Sequence, residues 1–220
     1  MADTRTKLLD AALETLKKQG MAGVSARTIA TAAGVNQALV FYHFGSVDQL
    51  LAAAVERGCE QRMVLYRERF AAVTTLRELL DLGRAIHEEE RAEGSVAALA
   101  QLLAGSQTDS KLAPAVVGGL NLWIGEVEQA LGRVLATSPL AEFADVSGLA
   151  KATAAAFVGL ELYEGVDTDG AAQALDALEE LAVLVTALED MGPMVRRVVR
   201  ARLTRSIGPR SRSHRDRESK

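Results

Sequence analysis

Apolar residues recur along this chain at spacings of three and four. Nowhere do they alternate over a stretch closed by hairpin signals, so the pattern predicts an all-helical, all-α fold. A first helix is expected from about Asp3 to Lys18, with Leu8, Leu9, Ala12, Leu13 and Leu16 on one face and Gly20 as its stop. Ser25 is placed to cap a short second helix that carries Ile29 and Ala30 and ends at Ala33 and Gly34. Asn36 is placed to cap a short third, with Val40 and Phe44 turned inward. Ser46-Val47-Asp48-Gln49 has capping-box spacing and opens a long fourth helix through Leu50, Leu51, Ala54 and Val55. That helix must stop in the low seventies, because Thr75 and Glu78 repeat the spacing ahead of Leu79, Leu80 and Ile86.

Gly94 and Ser95 separate this fifth helix from a sixth, and Gln107–Ser110 reads as a polar loop. Pro114 suits the first turn of a seventh helix reaching about Ala136, since proline lacks an amide that would be unpaired there. An eighth helix is expected over Asp145–Gly165 and a ninth over Asp169–Asp190. Gly192-Pro193 then force a stop or kink before a short basic helix, Met194–Ile207, for about nine to ten helices in total. The terminal GPRSRSHRDRESK reads as disordered.

The chain has 220 residues, 49% of them hydrophobic, with four prolines, which is enough for a sizeable core. No run approaches the ~18 consecutive apolar residues of a membrane span, and MADTRTK lacks the apolar stretch of a secretory signal. The expectation is a folded cytoplasmic protein with no membrane partner. A single cysteine, Cys59, excludes an intrachain disulfide and reads as a small buried apolar residue. His43, His87 and His214 show no zinc-ligand spacing. His87 with Glu88, Glu89 and Glu90 lacks the second histidine of HExxH and reads as a solvated helix face, so no metal and no cofactor is expected.

A net charge of −4 conceals an asymmetry. Residues 1–60 sum to zero, residues 61–190 to −12, and residues 191–220 to +8. A body that repels phosphate thus joins a neutral N-terminal unit and a basic tail.

Two short helices joined by a tight glycine-containing turn, covered by the helix before them and followed by a long one, form a helix-turn-helix arrangement. A short exposed helix can enter a DNA groove only if its other side is buried. Val35, Val40 and Phe44 supply that side against Ile29, Leu13 and Leu50.

The segment TKLLDAALETLKKQGMAGVSARTIATAAGV and the following NQALVFYHFGSVDQLL resemble the opening helices of the TetR family of transcriptional regulators, over residues 5–55. The resemblance implies a helix-turn-helix DNA-binding domain over residues 1–46, a helical ligand-binding and dimerisation domain over residues 47–207, and a basic tail over residues 208–220. Carried over by position, it implies DNA contacts at Arg27, Thr28, Asn36, Gln37, Ala38, Phe41, Tyr42 and His43. Arg27 matches a position that reaches base or phosphate, and the Gln37 amide can read an adenine edge. Ala38 lets backbone approach the groove, while Phe41, Tyr42 and His43 meet phosphates or thymine methyls. Phe41 stands where tyrosine is common, Leu39 where threonine is common and Val47 where lysine is common, each departure removing a phosphate contact.

Beyond residue 60 the likeness is architectural, and implies a repressor released from double-stranded operator DNA by a small-molecule effector. It also implies a homodimer through the eighth and ninth helices, with Ala155, Gly159, Leu178, Ala182 and Val185 in the seam. Met63, Tyr66, Phe70, Leu99, Leu103, Leu122, Trp123, Phe157 and Tyr163 are the candidate lining of an apolar or amphipathic ligand's cavity, a list that equally describes an ordinary core. Gly118, Gly119 and Gly125 beside Trp123 suggest space for something to approach. The rival classes are an architectural DNA-binding protein without a ligand, and a helical enzyme. For the enzyme, the sequence offers no nucleophile–base pair or carboxylate pair at a specific spacing.

Overall fold

The computed structural model describes residues 3–107, 113–136, 138, 141 and 144–190. Among the described residues the chain is helical throughout: α1 (Thr4–Gly23), α2 (Ala26–Ala33), α3 (Ala38–Phe44), α4 (Val47–Ala72), α5 (Leu76–Ala92), α6 (Ser95–Ser106), α7 (Ala113–Leu135), α8 (Val146–Glu164) and α9 (Thr168–Asp190). No single helix among them is long and apolar enough to cross a membrane. The expected basic helix Met194–Ile207 and the tail over residues 208–220 lie outside the described residues.

Caps set most of the boundaries. Ser25 Oγ accepts from Thr28 N at 3.1 Å while Thr28 Oγ1 accepts from Ser25 N at 2.9 Å, a reciprocal box that starts α2. Gly34, at φ 66°, ends that helix in the left-handed conformation. Ser46 Oγ accepts from Gln49 N at 3.1 Å to open α4, and Thr75 with Glu78 forms the box that opens α5. Gly20 leaves the helical conformation at φ 66°, so regular α1 stops where the sequence places its stop, and a further turn runs to Gly23.

Three clusters make the core. Leu8, Leu9, Ala12, Ile29, Val40, Phe44, Leu50 and Leu51 unite α1, α2, α3 and the first turns of α4. Leu16, Val55, Ala98, Leu102 and Val116 join α1 and α4 to α6 and α7. Tyr66, Phe70, Leu79, Leu82, Ile86, Val127, Leu131 and Ala150 fill the centre of the body. The continuous 26-residue α4 contributes to all three and so carries the N-terminal unit rigidly on the body.

The expectation of space beside Trp123 is corrected at one glycine of three: a Cβ at Gly119 would lie 2.7 Å from Cys59 Sγ, so what approaches it is α4 itself, whereas a Cβ at Gly118 or Gly125 would meet nothing within 4 Å. Cys59 is half-buried, and burial foremost, with Glu90 and Glu60 nearby, pushes its thiol up to about 11.

Candidate nucleic-acid interface and effector site

On the seven-residue α3, the i, i+4 pair Val40 and Phe44 is buried and seats the helix on Ile29 and Leu50. The opposite side therefore faces out: Gln37 and Ala38 are exposed, Phe41 is 50% exposed and Tyr42 81%. Two aromatics held in water beside a fully buried valine leave apolar area on this face that the core does not use. His43 is half-buried and meets the Tyr42 ring edge-on at 5.0 Å. Arg5 lies over the Phe44 ring at 5.2 Å, and Arg27 is exposed on α2.

Two of the sequence-predicted DNA residues are already engaged within the chain. Thr28 Oγ1 donates to Gly23 O at 2.8 Å and accepts from Ser25 N, so its hydroxyl builds the α1–α2 turn. Asn36 Oδ1 accepts from Ala38 N at 2.8 Å and starts α3 one residue ahead of the formal cap at Gln37.

The predicted cavity lining separates into distinct places. Met63, Tyr66 and Phe70 are buried on α4, with Trp123 of α7 against both rings at 5.5 and 6.4 Å. Leu103 packs on the α1–α6–α7 cluster, and Leu122 is half-buried on α7. Phe157 meets the His87 ring edge-on at 6.0 Å. Tyr163 stands apart, 47% exposed, its hydroxyl donating to Asp167 Oδ2 at 3.0 Å.

Two cavities open elsewhere. One of about 380 Å³ lies between α5 and the α8–α9 turn, bordered by Arg84, His87, Arg91, Glu164 and Leu175. The other, an apolar groove of about 430 Å³, runs between α8 and α9 past Ala156, Gly159, Tyr163, Leu178 and Leu181. Neither is bordered by Trp123. Of the candidate seam residues, Ala155, Gly159 and Leu178 are exposed, whereas the side chains of Ala182 and Val185 lie outside the described residues.

The solvated face expected at His87–Glu90 is a correction. His87 is 5% exposed and Glu90 6%, while Glu88 and Glu89 face water. His87 Nδ1 contacts Glu161, and Nε2 lies 3.2 Å from Glu164 Oε2. Glu164 also meets Arg91. Glu90 accepts from the Tyr66 hydroxyl at 2.8 Å and pairs with Arg62 at 3.1 Å. Burial raises the Glu161 carboxyl above its usual range, with its contact to His87 opposing. The signal was present in the helix phase. Glu90 follows Leu79, Leu82 and Ile86 at steps of three and four, and Glu161 and Glu164 follow Ala150 and Phe157 at the same steps.

Residues 8–54, spanning α1 to the start of α4, match the family described as bacterial regulatory proteins, tetR family. An uncharacterized HTH-type transcriptional regulator of Mycobacterium tuberculosis is 25% identical over 128 residues, 58% of this chain and just under two thirds, 66%, of that protein. Among solved structures, a TetR-family transcriptional regulator from Rhodococcus sp. superposes with a TM-score of 0.66 at 24% identity, over 83% of this chain and 99% of that one. The regulator FadR from Bacillus subtilis, in complex with stearoyl-CoA, superposes with a TM-score of 0.67 at 16% identity, over 81% and 97% of the two chains.

Proposed function

We propose that the chain is a DNA-binding transcriptional regulator of the TetR type rather than an enzyme, a cytoplasmic homodimeric repressor that a small amphipathic or apolar effector releases from its operator. The observation that carries this reading is the outward face of α3, where Gln37, Phe41 and Tyr42 stand exposed over the buried Val40. Such a helix presents its N-terminal residues to the major groove, and a single copy reads only one half-site. The dimer seam is assigned to α8 and α9, in support of which Leu178 and Leu181 are exposed in the apolar groove between them and Leu162 is exposed on α8. Residues 1–46 then form the reading unit and residues 47–207 the sensing and pairing unit.

An amphipathic effector is supported by the stearoyl-CoA held by the FadR relative, and by a cavity that sets Arg84, Arg91 and Glu164 beside Ala171 and Leu175. A ligand releases DNA only if it binds the DNA-free conformation more tightly. Trp123, the chain's one tryptophan, packs on Tyr66 and Phe70 and so reports rearrangement around α4. The test titrates a complex of the full chain and its own upstream DNA with fatty acids, their coenzyme A esters and aromatic amphiphiles. Release of DNA with a change in Trp123 emission is the expected result. A complex that none of these classes dissociates contradicts the effector and favours an architectural DNA-binding role.

A further inference from the structure

We propose that His87, Glu161 and Glu164 form a binding site for a divalent transition-metal ion, of which Zn²⁺ is the type, at the junction of α5 and α8. One donor atom from each residue lies within 4.8 Å of the other two. The set of one imidazole nitrogen and two carboxylates suits Zn²⁺, Co²⁺, Mn²⁺ or Ni²⁺. His87 Nε2 and Glu164 Oε2 stand 3.2 Å apart, near the roughly 3.3 Å that two donors keep around a tetrahedral ion of this size. Glu161 stands against the other ring nitrogen, Nδ1, so the ring or that carboxylate must shift for all three residues to meet one ion.

Two observations distinguish the cluster from an ordinary ion pair. Glu161 is 6% exposed, and its Oε2 has no hydrogen-bond partner among the described residues, so a buried carboxylate oxygen is left without compensation. The charges also fall short: among the described residues Glu90, Glu93, Glu161 and Glu164 are met by the two arginines Arg62 and Arg91, which leaves negative charge in excess. An ion balances it and also takes up the free oxygen.

The cavity of about 380 Å³ is bordered by His87 and Glu164, which gives an ion a route in and leaves room for water or a ligand atom to complete its shell. Arg91, paired with Glu164, holds that carboxylate in place from outside. Binding here is independent of the effector reading, because it requires only the folded chain.

The experiment uses the full chain without a histidine tag, stripped by a chelator and titrated with Zn²⁺ by calorimetry and with Co²⁺ by visible absorption. One ion per chain is expected, weakened at least about tenfold in Glu161→Gln and further in His87→Gln. No stoichiometric binding by the wild type overturns the proposal, as does undiminished binding in a folded His87→Gln variant. Should the variants fail to fold, X-ray absorption of the zinc-loaded wild type decides. An imidazole with an otherwise oxygen shell is expected, and a sulfur in that shell assigns the ion to Cys59 instead.

Discussion

The backbone amide of Met21 donates to Gln101 Oε1 at 2.7 Å, tying the end of α1 to α6 across 80 positions of sequence. The amide is presented because Gly20 sits at φ 66°, and a Cβ there would fall 2.3 Å from the same oxygen. Gly20→Ala therefore both strains the backbone and displaces Gln101. A loss of about 1–3 kcal/mol is expected from the backbone alone, since φ 66° with ψ −176° is a region essentially reserved for glycine, and urea unfolding reads it. A variant as stable as the wild type contradicts this account of the contact.

Tyr42→Ala and Gln37→Ala are expected each to weaken operator binding by ~1–3 kcal/mol, with unchanged circular dichroism, since neither side chain is part of the core. Fluorescence anisotropy on labelled operator measures the change. Val40→Ala behaves oppositely, because it removes a side chain that is 0% exposed and so costs stability before it costs recognition.

Much of this is legible in the sequence, and the reason is local chemistry. The Ser25, Ser46 and Thr75 caps, Gly34 in its left-handed turn and the Val40–Phe44 spacing each act within a few residues, so one sequence suffices to place them. Long-range packing was less legible. Tyr163 joins neither Trp123 nor the body core, because its hydroxyl is drawn to Asp167 at the α8–α9 turn. His87 looked solvated beside three glutamates, and is buried because partners from α8, 74 positions away, come to meet it. Thr28 and Asn36 were legible as residues of the motif, but their engagement in turns follows from hydrogen bonds that position alone does not reveal.

The seam assigned to α8 and α9 is tested by Gly159→Arg and Leu178→Arg, which place a charge on the apolar groove. Both are expected to give monomers by light scattering at micromolar concentration, and to lose most operator affinity because two half-sites are no longer read together. A wild-type monomer under these conditions refutes the seam.

Glu78 gives a pH-dependent signature. Its carboxylate accepts from Thr74 N at 2.7 Å, from the Thr74 hydroxyl and from Thr75 N, and these bonds hold its pKa below the usual carboxylate value. Its contribution is thus present above the unfolded-state pKa and lost as pH falls through the lower folded-state value. Thermal melts of Glu78→Gln should show a shallower acid dependence than the wild type over that range. Parallel curves contradict the assignment.

The central claim is that α3 reads DNA, and one measurement meets it directly: affinity of the full chain for its own upstream region and for unrelated DNA of equal length, across a salt series. Preferential binding to the upstream region, one dimer per site, with affinity falling as salt rises and preference lost in Tyr42→Ala, is the predicted result. Equal affinity for both DNAs at every salt concentration, or none for either, contradicts it.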